Sequence, residues 1–190
     1  YPQDLRDQVV ARAAKLANSE VRDLFERFLP EEKRTKRLGS VIDPAKILAM
    51  PGDIERGKKI FFDASGVQCR NCHKIGDQGK EVGPALNEIG KKYKRAELLE
   101  TILEPSKKIE PKYLLYLVET TAGKIHTGLL VSKTDEEVVL KNAENKLIKL
   151  KRSDVELIVP QQKSMMPNLL LRDMTAAQVA DLTAYLSSLK

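Results

Sequence analysis

The sequence predicts a mainly α-helical fold into which a β-rich element is inserted. Apolar residues recur at helical spacing near both ends of the chain, whereas the stretch from Tyr113 to about Val159 contains short β-forming runs. The 190 residues are enough for one medium domain or two small ones with a hydrophobic core. We expect a helical extension and linker over residues 1–50 and a main domain over residues 51–190, with the β-rich insertion at about 113–160.

The N-terminal residues are predicted to form short helices. The apolar positions of residues 5–17 follow helical spacing, and Ser19 is suited to cap a second helix over residues 20–29. Pro30 begins a third, highly charged turn that ends at Gly39. The segment 40–52 contains prolines and a glycine, which predict a linker.

The next segment is predicted to be helical, with one glycine-rich loop. Asp53 is a good N-cap for a helix that includes Ile54 and Phe61. The loop covers residues 76–83, and helices are expected at residues 86–93 and 95–103, the second of which is ended by Pro105.

The β-rich element and the last helix complete the predicted fold. The β-forming runs cover residues 113–121, 125–134, 138–141 and 146–151. Short runs separated by polar turns favour an antiparallel meander or a small barrel. Thr175 and Gln178 form a capping box, and the apolar residues behind them predict a final amphipathic helix.

The composition excludes some classes of protein. No apolar run approaches the roughly 20 residues that a transmembrane helix requires. The chain has no Trp and only 5% aromatic residues, so it is poorly equipped to bind nucleic acid by base stacking. The 33 Lys and Arg exceed the 27 Asp and Glu, a formal net charge of +6. We expect this surplus to attract an acidic protein partner.

The only two cysteines of the chain form one motif with a histidine. Cys69 and Cys72 are separated by two residues, and His73 follows directly. C-x-x-C-H is the attachment site of a c-type haem. Two thiols separated in this way reach the two vinyl groups of one porphyrin edge from a single turn of chain, and the adjacent histidine becomes the proximal iron ligand. The motif predicts one covalently bound haem c.

Three other interpretations of the cysteine pair are weaker. A disulfide between Cys69 and Cys72 would close a loop too small to stabilise the fold much. A thioredoxin-like redox pair requires a βαβ setting, and the residues before Cys69 do not form a strand pattern. A structural zinc site requires four ligands, and beyond His73 the chain offers only His126.

Two further elements are similar to those of class I cytochromes c. In that fold the first and last helices cross closely, using a glycine and an aromatic residue on the first and an aromatic residue on the last. Gly57, Phe61 and Tyr185 match these positions. The loop after the haem motif carries a proline whose carbonyl accepts the Nδ1–H of the proximal histidine, and Pro84 in Gly83-Pro84 is similar to it.

The sixth iron ligand is expected to be a methionine or a histidine. In the class I fold it is a methionine followed by proline in a loop before the last helix, and Met166 matches this pattern. Met165 is the alternative if the match slips by one residue. Met50 and Met174 fit less well because they lie next to predicted helix starts, and His126 lies in a predicted strand.

Segments along the whole chain resemble one family. These segments are residues 21–28, 52–57, 69–73, 82–84, 104–109 and 164–167. The chain resembles the haem-binding c-type cytochrome domains at the C-terminal end of large secreted proteins in planctomycetes and related bacteria. The β-rich insertion makes the match specific, whereas the family's usual Asp after Gly-Pro is Ala85 here. The resemblance implies an electron acceptor or relay that works with a dehydrogenase-like region.

These features predict a one-electron carrier with His/Met-ligated haem, rather than an enzyme in its own right. The alternative is a haem enzyme or gas sensor with an open or weakly held sixth position. That alternative needs a distal acid or base, and His126 is the only spare histidine. Because bacteria attach haem c outside the cytoplasm, we expect a periplasmic or otherwise exported protein.

Two basic clusters are candidates for docking a redox partner. The first contains Lys91, Lys92, Lys94 and Arg95, and the second contains Lys107, Lys108 and Lys112. If either cluster surrounds an exposed haem edge, it steers an acidic partner towards it. The alternative is that they are two solvated helix ends.

Overall fold

The computed structural model describes residues 2–16, 19–64 and 67–190. The helices of this part of the chain are α1 (Gln3–Ala13), α2 (Ser19–Glu26), α3 (Pro44–Leu48), α4 (Ile54–Asp63), α5 (Ile89–Lys92), α6 (Arg95–Leu103) and α7 (Ala176–Ser188). The strands are β1 (Lys74–Ile75), β2 (Gln78–Gly79), β3 (Leu115–Thr120), β4 (Ile125–Lys133), β5 (Glu137–Lys141), β6 (Leu147–Lys151) and β7 (Val155–Gln161).

The architecture is mixed α and β, which corrects the expectation of a mainly α-helical fold. The sheet formed by β3–β7 has one more strand than predicted, because β7 is a separate fifth strand that continues to Gln161. The sequence pattern did not distinguish this strand, since only the three residues Arg152–Asp154 separate it from β6. Within the described residues, no helix combines the length and the apolar character that crossing a bilayer requires.

The helical core forms around α7. The capping box predicted for this helix is present, because the Thr175 hydroxyl accepts from the Gln178 N–H (3.2 Å) and the Gln178 side chain accepts from the Thr175 N–H (2.8 Å). One face of α7 then packs on α4, and α3, α5 and α6 also contact it. Phe61, Leu99 and Leu182 are fully buried in this core.

The segment 40–52, which was predicted to be a linker, contains a short helix, α3, that contributes Ile47 to this core. Asp43 caps α3 by accepting from the Ala45 N–H (3.0 Å), and Pro44 occupies the first helical turn, where a proline is tolerated. Ile47 on α3 is 0% exposed. The proline that suggested a break therefore begins a helix.

The N-terminal helices are joined to the core by an arginine. The Arg37 guanidinium pairs with Asp23 and Glu26 on α2, at 2.9 Å in each case, and donates to the Asp173 carbonyl before α7 (2.6 Å). The predicted break between the first two helices falls at Asn18-Ser19; Asn18 lies outside the described residues, as does Ala17 at the end of the first predicted helix.

The five long strands form one antiparallel sheet in the order β6-β5-β4-β3-β7. A flat sheet would hold its two edge strands roughly 19 Å apart, because neighbouring strands are about 4.8 Å apart. The link from Lys151 to Val155 spans at most about 15 Å even when extended, and here it is a 3₁₀ turn. The sheet is therefore curled into a small open barrel, which agrees with the predicted meander or barrel. Val118, Val138 and Leu140 fill its interior.

Candidate functional site

The Cys69–His73 motif lies in one tight turn after α4. Residues Cys69–Asn71 form a 3₁₀ helix, and the carbonyl of Cys69 accepts from both the Cys72 N–H (3.1 Å) and the His73 N–H (2.9 Å). The two sulfurs and the imidazole are thus presented from a single turn of chain.

A hydrogen bond joins His73 to Pro84. The His73 Nδ1 and the Pro84 carbonyl oxygen are 2.8 Å apart. A carbonyl can only accept, so Nδ1 carries the proton and the neutral ring keeps Nε2 as its free electron-pair donor. Burial lowers the pKa of His73, and the bond to Pro84 opposes that shift only partly. The ring is therefore neutral at physiological pH.

Gly83 makes room for the imidazole. A Cβ on this residue would lie 2.7 Å from the His73 Cε1, closer than side chains approach in folded proteins. The neighbouring backbone is held firmly, because the N–H groups of Val82 and Gly83 both donate to the Cys72 carbonyl, at 3.1 and 2.7 Å. The ring thus lies against a backbone surface that only glycine provides.

A small hairpin that the sequence did not reveal overlaps the start of the predicted glycine-rich loop. Strands β1 and β2 pair Lys74 with Gly79 and Ile75 with Gln78. Each strand is two residues long, too short to show any periodicity. The hairpin folds the loop back, and the Leu86 N–H then reaches the Lys74 carbonyl (2.8 Å).

Both cysteines are free thiols. Burial raises the pKa of Cys69 to about 11 and also raises that of Cys72, which Lys80 partly opposes. Reactive dithiols have lowered pKa values, because the thiolate is the nucleophile. The environment of this pair is therefore unlike that of a thioredoxin-type redox site.

The methionines lie in different environments. Met166 is half-buried and packs against the same helical core cluster as Cys69. Met165 is also half-buried. Met174 is 5% exposed and is a member of the core itself, whereas Met50 is exposed.

Two serines hold the Met166 loop. The Ser106 hydroxyl accepts from the Ser164 N–H, and the Ser164 hydroxyl accepts from the Met166 N–H, at 3.1 Å in each case. Both serines lie in segments that carry the family resemblance, 104–109 and 164–167, and no sequence signal marks either one individually. Their role depends on a contact between one residue that precedes the barrel in the sequence and one that follows it, which a single sequence does not reveal.

His126 lies on β4, opposite Val118 on β3, and is half-buried. Within the described ranges 2–16, 19–64 and 67–190, no three His, Cys, Asp or Glu side chains gather as a potential metal-binding group.

The predicted crossing of α4 and α7 is present and is very close. A Cβ on Gly57 would overlap the Asp181 carbonyl and lie 2.7 Å from the Tyr185 Cβ. The Phe61 and Tyr185 rings pack with their centroids 6.1 Å apart. Arg56 reaches across the crossing and donates twice to the Asp181 carboxylate, at 2.7 and 2.9 Å.

Many of the predicted docking cations have acidic partners. Lys91 pairs with Glu88, and Lys107 pairs with Glu100. Lys92 and Lys112 both lie near Glu110, at 2.6 and 3.8 Å. Arg95 is part-buried and donates to the Met50 and Ala180 carbonyls, at 2.6 and 3.2 Å, so it joins α6 to α3 and α7.

Residues 54–139 match the family model described as Cytochrome c. The match supports a haem-binding, electron-transfer type of domain. It supports a c-type cytochrome domain in this chain, a family whose members carry covalently bound haem c, generally transfer electrons rather than catalyse reactions, and are typically exported in bacteria. The matched range includes the Cys69–His73 turn and Pro84, and it ends in β5 before Met166. No curated protein matches the chain.

Proposed function

We propose that this protein is a one-electron carrier with one haem c attached through Cys69 and Cys72, and with His73 and Met166 as axial ligands. One observation carries the proposal: the Cys69–His73 turn is joined to Pro84 by the 2.8 Å Nδ1 hydrogen bond. This bond leaves Nε2 available to a metal, orients the ring and raises its basicity.

The residues present fit a covalent haem. Two free thiols and a neutral imidazole come from one turn, and Gly83 keeps the space beside the imidazole clear. When bound, the haem iron supplies a centre that gains and loses one electron. The chain's part is to hold the ring of His73 in one orientation, to fix the Met166 loop through Ser164, and to exclude water with the Phe61–Tyr185 packing.

Met166 is the distal ligand that the structural context favours. It is half-buried against the cluster that includes Cys69, and its backbone is fixed by Ser164. A thioether is a soft ligand that favours ferrous iron, which suits an electron carrier. Met165 is the competing assignment.

We further propose that the cytochrome core covers residues 51–190 and that the barrel is an insertion in it, as in the planctomycete-type domains that the chain resembles. The electron donor is a redox protein or a fused dehydrogenase region, in the periplasm or otherwise outside the cytoplasm. The acidic partners of Lys91, Lys92 and Lys107 reduce the net charge of the proposed docking clusters.

The test begins with protein expressed together with a haem-ligation system. Acid-acetone extraction should leave the haem colour on the polypeptide. A haem that extracts, or a protein that takes up none, would refute the attachment.

The ligand assignment is tested by comparing Met166→Ala with Met165→Ala. The ferric protein should show the weak near-red band of an iron–thioether bond. Met166→Ala should abolish that band and lower the midpoint potential, whereas Met165→Ala should keep both. The reverse result moves the ligand by one residue. If the ferric protein lacks the near-red band and neither variant changes its spectrum, the sixth ligand is His126 or the sixth position is open. An open position would favour a haem enzyme or gas sensor.

A further inference from the structure

The barrel contacts the loop that carries Pro84. The Lys141 ammonium group on β5 donates to the backbone carbonyl of Glu81 (3.0 Å). The carboxylate of Glu81 is engaged elsewhere, with Lys74 at 3.1 Å. Lys141 therefore binds the backbone of the loop and not a side chain, and the two residues are 60 positions apart in the sequence.

Two apolar residues neighbour Lys141 in the sheet: Leu129 is its cross-strand partner on β4, and Val139 lies two residues before it on β5. Leu129 and Val139 are 6% and 5% exposed, although Leu130 and Val138, their neighbours in sequence, belong to the barrel interior. Because adjacent side chains of a strand point to opposite faces, Leu129 and Val139 are covered on the outer face of the barrel.

The loop side of the same region is buried too. Val82 is 2% exposed. A cleft of about 300 Å³ is lined by Val82 and Gly83 from the loop and by Leu129 and Lys141 from the barrel. Loop and barrel thus face each other over a small surface, with the Lys141 bond at its polar edge.

The backbone at Glu81 is linked to His73 through three following residues that are themselves held by hydrogen bonds. Glu81 precedes Val82 and Gly83, whose N–H groups are bonded to the Cys72 carbonyl. The next residue is Pro84, whose carbonyl accepts from His73 Nδ1. The bond from Lys141 therefore restrains the loop three residues before the acceptor that orients the histidine.

We propose that Lys141 is a positioning residue: through the Glu81 carbonyl it keeps the Pro84 carbonyl in hydrogen-bonding position for His73. The barrel thereby stabilises the side of the haem site on which His73 lies and helps set the midpoint potential of the haem. The hydrogen bond from Lys141 to the Glu81 carbonyl is called the brace below. The consequence for the potential rests on the function proposed above, whereas the brace itself is a property of the polypeptide.

The experiment compares three variants of the haem-loaded protein. Lys141→Met removes the donor and a positive charge, Lys141→Arg keeps both, and Lys149→Met removes the same charge from an exposed position on β6. Two quantities are measured: amide hydrogen exchange at Val82 and Gly83, and the midpoint potential. The comparison with Lys149→Met separates loss of the brace from loss of charge.

Lys141→Met should speed exchange at Val82 and Gly83 by roughly 2- to 10-fold, the range expected for loss of one hydrogen bond. Its potential should be higher than that of Lys149→Met, because a weaker Nδ1 bond makes the histidine a less basic ligand. Lys141→Arg should resemble the wild-type protein in both measurements.

The brace is refuted if Lys141→Met and Lys149→Met give the same exchange at Val82 and Gly83. If exchange differs but the potentials do not, the effect on the histidine is refuted. A protein without covalent haem would refute the proposed function, and its amide exchange would still decide whether the brace exists.

Discussion

The Ser106 hydroxyl accepts a hydrogen bond from the Ser164 N–H at 3.1 Å, across the two connections by which the chain enters and leaves the barrel. Ser106 follows α6, and Ser164 follows β7. The bond ties the segment that leaves the barrel to the segment that follows α6, and thereby restrains the start of the loop that carries Met166. The Ser164 hydroxyl in turn accepts from the Met166 N–H, so the backbone of Met166 is restrained as well.

Ser106→Ala should loosen the Met166 loop. Loss of this partly buried bond should lower the free energy of unfolding by about 1 kcal/mol. The near-red band of the ferric protein should weaken, and it should be lost at lower denaturant concentration than in the wild-type protein. Ser153→Ala is the control, because the Ser153 hydroxyl donates to Asp154 in an exposed turn. Equal behaviour of the two variants would show that Ser106 does not position the loop.

Gly57→Ala should destabilise the crossing of α4 and α7. The new methyl group would overlap the Asp181 carbonyl, so the two helices would have to separate. We expect a loss of roughly 2 kcal/mol in denaturant unfolding, although alanine in a helix is intrinsically favoured by about 1 kcal/mol over glycine. Lys59→Ala places alanine on the exposed side of α4 and should leave stability almost unchanged. A stabilised Gly57→Ala would contradict the close crossing.

Asp181 should make stability depend on pH in the acid range. The hydrogen bond from Arg56 lowers the pKa of this carboxyl below its usual value, against the opposing effect of burial. A depressed folded-state pKa means that the stabilisation is complete above the unfolded pKa of about 3.9 and is lost as the pH falls towards the folded pKa. Asp181→Asn should therefore lower the free energy of unfolding by about 2 kcal/mol at pH 7 and by less at pH 3.

The matched control for this prediction is Asp173→Asn, an exposed carboxylate paired with Arg172 at 3.1 Å. Urea unfolding of the wild-type protein and both variants across the acid range gives the comparison. If the free energy of unfolding changes with pH in the same way in the wild-type protein and in Asp181→Asn, the Arg56 contact does not contribute to the pH dependence of stability.

Local signals gave much of this fold correctly. The Asp53 cap of α4 and the Thr175–Gln178 capping box of α7 are present because such caps are contacts within one turn. The barrel followed from β-forming runs separated by turns. Ile47 was missed because a short helix that begins with proline looks like a loop until α6 and α7 pack on it.

The candidate site could be predicted only in part for the same reason. Cys69, Cys72 and His73 are adjacent, so their spacing carries the chemistry. The contacts of Ser106 with Ser164 and of Lys141 with Glu81 join residues 58 and 60 positions apart. No periodicity or spacing rule predicts such pairs, because they depend on how the barrel lies on the helical core.

Gly83→Ala should disturb the proximal histidine directly. A Cβ would lie 2.7 Å from the His73 Cε1, so either the ring or the loop must move and the Nδ1 bond to Pro84 must lengthen. We expect a higher midpoint potential and a loss of about 1–3 kcal/mol in guanidinium unfolding. Glu81→Ala is the control, since it places alanine in the same loop and keeps the backbone carbonyl that Lys141 contacts. If both variants shift the potential equally, the effect comes from the loop in general and not from contact with His73.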